Sequence, residues 1–158
     1  MDIIKSHVGV IITDKNNFYL EQKTEDYPVP EFRLTYTLFG GEIEGSETPI
    51  NALERELHEE LDDSVASNIL KSSNISFSFE NKWKNNKYHF IAYEAILLSD
   101  YLREISKFSI KEGKEGVLTA RNKLYEIRLG PNAEKAMNKY LKLNGFKSLT
   151  LHWDNENE

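Results

Sequence analysis

The chain has 158 residues, of which 39% are hydrophobic and 29% are charged. A chain of this length and composition can enclose one hydrophobic core, so we predict a single domain over residues 1–153 and a disordered tail over 154–158. The net charge of -6 argues against binding of bulk nucleic acid, because basic surfaces are needed to hold phosphate backbones.

Targeting and membrane signals are missing from the sequence. No stretch approaches the roughly 20 apolar residues that a membrane helix needs, and Met1 to Lys5 lacks the long apolar segment of a signal peptide. Cysteine is absent, which removes disulfides, zinc–thiolate sites and thiol nucleophiles. We therefore expect a cytoplasmic protein without a membrane partner.

The first part of the chain predicts three strands. β-Branched and apolar runs at 7–13 and 18–22 flank a polar turn cluster, a pattern that is typical of a β-hairpin. A proline-containing loop then leads to a third β-type run at 34–39. Gly40 and Gly41 are predicted to end that third strand.

A central helix follows these strands. Thr48 is suited to the N-cap and Pro49 to the first helical position, and the helix is predicted to run to about Leu61. Strands before and after a central helix indicate a mixed sheet covered by helices on both faces, so we predict an α+β fold, an α-β-α sandwich. The later predicted elements are strands at 75–79, 88–97 and 117–119, an irregular connection at 100–115, and helices at 121–127 and 132–143.

Glutamates are concentrated on one face of the central helix. Glu56, Glu59 and Glu60 are spaced i, i+3 and i+4, which places them within a sector of roughly 100°. Like charges so close repel each other, and a bound divalent metal would resolve that conflict. Carboxylate oxygens suit Mg²⁺ or Mn²⁺ better than zinc. The alternative for these glutamates alone is a solvated acidic helix face.

The spacing around the glutamates decides between these alternatives. Gly41, five residues, Glu47, seven residues and then 55–60 (Arg-Glu-Leu-His-Glu-Glu) resemble the signature of the Nudix hydrolases. Every position of that signature matches through Glu60. The resemblance implies a Nudix-type α-β-α sandwich with a mixed sheet.

The chain departs from the signature directly after the glutamates. Asp62 replaces the usual glycine and Asp63 replaces an apolar residue. Because the glycine normally lets the chain turn out of the helix, we expect a different exit here, with Val65 as the candidate apolar anchor.

The resemblance assigns roles to the residues of the motif. Glu56, Glu59 and Glu60 would coordinate the metal and take part in catalysis, and the carbonyl group of Gly40 would add a ligand. Gly41, Glu47 and Arg55 would support the site, with Arg55 orienting the carboxylates through a salt bridge to Glu47.

A further glutamate from a later loop serves many family members as a metal ligand or general base. Glu115 is the first candidate for that role and Glu112 is the second, and a surface position is the alternative for either. Glu56 or Glu115 would be the general base, a choice that the sequence leaves open. A modestly perturbed carboxylate suffices for that task, because metal binding already lowers the pKa of water.

Weaker candidates for substrate binding lie outside the motif. Tyr36 and Trp83 could stack on a nucleotide base, since stacking tolerates any base. Arg33 could meet a phosphate group, and Glu112 could also line the substrate site. Ordinary packing or a solvated surface is the alternative for each of these side chains.

The function implied by the resemblance is metal-dependent hydrolysis of a nucleoside diphosphate linked to another moiety. Nucleoside triphosphates, dinucleoside polyphosphates, nucleotide sugars and ADP-ribose all fit this description. The alternatives are a non-catalytic Nudix-fold module that senses a nucleotide and an enzyme that cleaves an isoprenoid or inositol pyrophosphate. A homodimer is also a candidate arrangement.

Overall fold

The computed structural model describes residues 3–153, so the predicted tail at 154–158 lies outside the described residues. The strands are β1 (Ile3–Thr13), β2 (Asn17–Gln22), β3 (Tyr36–Thr37), β4 (Phe39–Glu42), β5 (Ser73–Trp83), β6 (Asn86–Ile96) and β7 (Glu115–Ala120). The helices are α1 (Pro49–Glu60), α2 (Asp63–Lys71), α3 (Ser99–Ile105) and α4 (Pro131–Leu143). No helix within 3–153 is long and apolar enough to cross a membrane.

Strand β1 organises a seven-stranded mixed sheet. It pairs in parallel with β6 along its whole length and antiparallel with β2 and β4. Strands β3 and β7 extend the sheet beyond β2, and β5 forms the edge beyond β6. Helices cover this mixed sheet, which confirms the predicted α-β-α sandwich.

Alternating side chains of β1 feed two hydrophobic clusters, because successive residues of a strand face opposite sides of a sheet. Val10 and Ile12 join the cluster that contains the apolar side chains of α1, α2 and α3. Ile11 joins the cluster that contains Met137 and the other buried apolar side chains of α4. Helix α1 thus packs on one face of the sheet and α4 on the other.

Helix α1 begins and ends where the sequence predicts. The Thr48 hydroxyl accepts the N–H of Asn51, and Pro49 occupies the first turn. Leu53 and Leu57 are fully buried against the sheet. The helix therefore has a fixed rotation, and this rotation determines which of its glutamates face inward.

The departure from the motif at Asp62 has a structural reason. Leu61 is extended, and the Asp62 carboxylate accepts the N–H of Ser64 as the N-cap of α2. Helix α2 was not predicted from the sequence. Val65 is buried in the cluster beneath α1, as expected for an apolar anchor.

Three other boundaries were predicted wrongly. The prediction at 34–39 is split into β3 and β4, and β4 continues through Gly40 and Gly41 because β1 pairs with both glycines. The irregular connection at 100–115 contains most of α3. Strands β5 and β6 are longer than predicted, so the polar residues at 80–83 belong to β5.

Candidate active site

A cleft of about 350 Å³ opens beside the glycines of β4. Two groups of side chains stand out among the residues that line it. The first, which we call the acidic group, consists of Glu56, Glu60 and Glu112. The second, which we call the aromatic wall, consists of Tyr27, Phe32 and Trp83.

Arg55 connects the loop before α1 to the helix. Its guanidinium group donates two hydrogen bonds to Glu47, at 2.9 and 3.0 Å, the pairing that the resemblance implies. It also donates to the carboxylate of Glu56 at 3.0 Å and to the carbonyl group of Glu42 at 2.9 Å. The bond from Arg55 lowers the pKa of Glu47. The planar guanidinium group thus fixes the position of Glu56 relative to β4.

Glu59 has a different environment from the other motif glutamates. Its side chain is 47% exposed, and Arg55 donates to it at 3.4 Å. It does not belong to the residues that line the cleft. Glu59 therefore lies at the solvent side of α1, next to Glu56.

The Glu56 carboxylate packs directly against the backbone of Gly41. A Cβ atom at Gly41 would overlap with that carboxylate group, so a larger residue there would have to displace the Glu56 side chain. Burial raises the pKa of Glu56, and the bond from Arg55 opposes that effect. Gly41 therefore lets β4 and α1 come together with a carboxylate between them.

Glu60 and Glu21 form a buried pair of carboxyl groups. Their residues are 3% and 2% exposed, and a hydrogen bond joins the two side chains. The N–H of Gly40 also donates to Glu60 at 3.0 Å, and Lys23 lies 3.5 Å from Glu21. Burial raises the pKa of both glutamates. The charge of Glu21 raises the pKa of Glu60 further, whereas Lys23 and the contact with Glu60 lower the pKa of Glu21.

Glu21 was not among the predicted site residues. It lies in β2 among apolar side chains, two residues after the buried Tyr19 and therefore on the same face of the strand. A carboxylate at an inward-facing position of an apolar strand is the signal that could have found it, since buried charges need a partner.

Backbone contacts hold the loop that carries Glu112 beside Glu60 and β2. The N–H of Lys111 donates to the carbonyl group of Glu60 at 2.7 Å, and Lys114 N–H donates to the carbonyl group of Gln22 at 2.8 Å. Between them, Gly113 packs against the carboxylate of Glu21 so closely that no Cβ atom would fit. These contacts connect the loop before β7 to α1 and β2.

The structure separates the two late-loop candidates. Glu112 lines the cleft, and its charge acts on both Glu56 and Glu21. Glu115 is the first residue of β7, is exposed and lies outside the lining residues. The geometry thus favours Glu112, which the sequence analysis ranked second.

The weaker substrate-binding candidates are also separated. Trp83 lines the cleft, is 6% exposed, and packs on Phe32 with ring centroids 4.8 Å apart. Arg33 is exposed outside the lining residues and donates to the Tyr27 carbonyl group. Tyr36 packs against the cluster beneath α4 rather than lining the cleft.

The acidic group suits a divalent cation in its chemistry. Within 3–153, no cluster of three or more His, Cys, Asp or Glu side chains is already arranged to hold a metal ion. However, the buried carboxyl groups of Glu60 and Glu21 are in contact, and Lys23 is the cation that lies beside Glu21. An oxygen-only donor set with uncompensated charge fits Mg²⁺ or Mn²⁺.

A family model described as the NUDIX domain matches residues 4–116. The chain belongs to the Nudix family. Curated proteins gave no sequence match. Nudix proteins of this family are hydrolases that act on phosphorus-containing anhydrides and generally use a divalent metal, and this chain is such a hydrolase.

Solved structures show that this Nudix chain shares its fold with proteins of distant sequence. A MutT protein from Methanosarcina mazei Go1 has a TM-score of 0.67 at 14% identity, with 92% of this chain and 98% of that chain covered. The E. coli ORF135 protein has a TM-score of 0.62 at 16% identity, with 91% and 93% covered. The NUDIX domain of Shewanella oneidensis NrtR, solved with ADP ribose, has a TM-score of 0.59 at 11% identity, with 91% and 89% covered.

The Glu21–Glu60 pair predicts how stability depends on pH in metal-free buffer. Because the folded protein raises the pKa of both groups, it holds protons that the unfolded chain releases. The free energy of unfolding should therefore fall as the pH rises above the ordinary glutamate pKa of 4.5. The slope should approach about 1.4 kcal/mol per pH unit for each proton retained.

Urea unfolding with EDTA, measured at several pH values, checks this dependence. Glu60→Gln should flatten the decline, since the amide can donate to Glu21 and still accept from Gly40 without ionising. Glu54→Gln, at an exposed position of the same helix, should behave like the unmodified protein. Identical slopes for Glu60→Gln and the unmodified protein would contradict the assignment.

Proposed function

We propose that the protein is a metal-dependent pyrophosphohydrolase that cleaves a nucleoside diphosphate linked to another moiety. The observation that carries the proposal is the presence of the acidic group and the aromatic wall in one cleft. The first provides anionic oxygens for a metal that meets phosphate, and the second provides flat apolar surface for a base. A nucleotide requires both.

The residues that would hold Mg²⁺, with Mn²⁺ as a substitute, are Glu56, Glu59, Glu60 and the carbonyl group of Gly40, with Glu112 or Glu115 from the late loop. When bound, the metal supplies Lewis acidity and lowers the pKa of water. Arg55 keeps Glu56 in place while that ligand set forms. Glu59 would have to leave Arg55 and turn toward the cleft.

The chain's own carboxylates would manage the proton. Water attacks a phosphorus atom, the bridging P–O bond breaks, and the proton of the water passes to a carboxylate oxygen. Glu56 and Glu112 both line the cleft and are suitable acceptors. Burial raises the pKa of Glu56, which makes its carboxylate a better proton acceptor. Nucleoside monophosphate is one product of this reaction.

The aromatic wall would receive the base. Stacking on Phe32 and Trp83 is tolerant of base identity, so nucleoside triphosphates, dinucleoside polyphosphates, nucleotide sugars and ADP-ribose remain substrate candidates. The ADP ribose bound by the NrtR domain supports a nucleotide-like ligand for this fold. Lys23, which also lines the cleft, offers a cation for a phosphate group.

A second candidate function is nucleotide sensing without turnover. It is favoured by the engagement of Glu59 with Arg55, which keeps that carboxylate out of the cleft. In that case the cleft would bind the same class of ligand. Turnover separates the two candidates.

Three broader proposals accompany the activity. We propose one domain over 1–153, supported by the packing of both hydrophobic clusters on one sheet. A cytoplasmic location is supported by the lack of cysteine. The family resemblance supports a small phosphorylated substrate rather than bulk nucleic acid, and keeps a homodimer among the expected arrangements.

Hydrolysis should be detectable with a panel of nucleotides in Mg²⁺. One substrate class should release a nucleoside monophosphate or phosphate, and Glu59→Gln should reduce kcat by about 100-fold or more, as loss of one transition-state charge contact does. Glu54→Gln is the control with the same change on the exposed side of α1. Binding without turnover in both Mg²⁺ and Mn²⁺ would instead favour the sensor.

The late-loop glutamates form a matched pair for a second test. Glu112→Gln should lower kcat by about 10- to 1,000-fold, because a positioned base or ligand is lost. Glu115→Gln should change kcat by less than about twofold, since the side chain is exposed on β7 outside the cleft. The reverse pattern in steady-state kinetics would assign the role to Glu115.

A further inference from the structure

A segment after α4 forms the support behind the aromatic wall. Residues 147–153, which we call the strap, follow α4 without helix or strand structure of their own. The N–H of Leu149 donates to the side chain of Asn138 at 2.8 Å. The N–H of Trp153 donates to the carboxylate of Glu134 at 3.3 Å. Since these acceptors lie four residues apart on α4, the strap runs back along one face of the helix toward its first turn.

Trp153 fills the space behind the wall. It is 5% exposed, and its ring meets Phe32 and Trp83 edge-on at centroid distances of 5.7 and 5.9 Å. Its indole N–H donates to the carbonyl group of Leu129 at 2.8 Å, and the guanidinium group of Arg128 lies 4.8 Å from the ring centroid. Contacts on several sides therefore fix the ring.

Glu134 holds the strap to α4. This buried carboxylate accepts the N–H of His152 at 2.7 Å and the N–H of Trp153, and it contacts the His152 ring nitrogen Nδ1 at 2.9 Å. A buried carboxylate without such donors would be costly, because desolvation would go uncompensated. Release of the strap would leave Glu134 in that state, so the strap stays in place.

The strap supports residues from a different part of the chain. Phe32 and Trp83 lie inside the segment matched by the family model, 4–116, whereas α4 and the strap lie outside it. Phe32 and Trp83 line the cleft, but Trp153 does not. The support for the aromatic wall thus comes from residues outside the segment that the family model matches.

We propose that Trp153 is a positioning residue that sets the affinity of the cleft for the base of its substrate. It acts through Phe32 and Trp83, since the energy of stacking depends on the orientation of the rings. The effect on the base rests on the proposed function, in which the cleft binds a nucleotide. The acidic group has no contact with the strap among the hydrogen bonds and ion pairs described above, so the chemical step should be unaffected.

Nucleotide affinity provides the first test. Dissociation constants for AMP, GMP, CMP and UMP would be measured by calorimetry in metal-free buffer. Trp153→Ala and Glu134→Gln should weaken binding on the order of tenfold, and Trp153→Phe should retain most of it. With a hydrolysed substrate, KM should rise while kcat stays the same. Glu126→Gln, an exposed glutamate paired with Lys123, is the control.

Fluorescence provides a test that needs neither nucleotide nor metal. The chain has two tryptophans and eight tyrosines, so replacement of Trp153 leaves Trp83 as the sole tryptophan, which excitation at the red edge of the absorption band selects over tyrosine. Acrylamide should quench Trp83 several-fold more strongly in Trp153→Ala than in Trp153→Phe. Because Trp153→Ala removes a buried ring and can destabilise the fold, the double variant Trp153→Phe with Glu134→Gln provides the second comparison and should also expose Trp83.

The two readouts separate the inference from the proposed function. If the unmodified protein binds and hydrolyses no nucleotide, the proposed function fails, and the quenching of Trp83 alone decides whether the strap positions the wall. Equal protection of Trp83 in all variants would overturn the inference. Nucleotide affinities of Trp153→Ala and Glu134→Gln that match those of Glu126→Gln would overturn it as well.

Discussion

Burial of the Glu60 carboxyl group is the constraint on which the site depends. A carboxylate at the end of a helix would normally face water, but the rotation of α1, fixed by Leu53 and Leu57, turns Glu60 toward β2. There it meets Glu21 and the N–H of Gly40. Two buried carboxyl groups in contact require a proton or a cation between them. In the proposed function, a divalent cation would satisfy this need and supply the chemistry of phosphorus hydrolysis.

The surrounding residues follow from the same constraint. The Glu56 carboxylate occupies the space where a side chain at Gly41 would lie. Glu21 does the same at Gly113, where a φ of +85° also favours glycine. Arg55 forms ion pairs with the carboxylates of Glu47 and Glu56. None of its hydrogen bonds or ion pairs within 3–153 involves Glu60. Positive charge is therefore provided to the rim of the acidic group, while the buried Glu21–Glu60 pair still requires a proton or a cation.

The sequence predicted the parts that depend on local pattern. Helix α1, with its cap at Thr48 and its inward leucines, could be predicted because capping and periodicity act within a few residues. Glu21 could not be assigned to the site, since only the pairing of β2 in the sheet brings it to Glu60. The preference for Glu112 over Glu115 depends on the path of a loop, and Trp153 reaches the aromatic wall only because the strap folds back along α4.

Binding of Mn²⁺, followed by electron paramagnetic resonance, tests the central claim most directly. The free Mn²⁺ signal should fall on addition of protein and recover when Mg²⁺ is added in excess, because both ions suit the same oxygen ligands. Glu60→Gln and Glu56→Gln should each weaken this binding by about tenfold or more, in line with the loss of a ligand, whereas Glu54→Gln should not. Unchanged Mn²⁺ affinity in the first two variants, or no binding by the unmodified protein, would contradict the account.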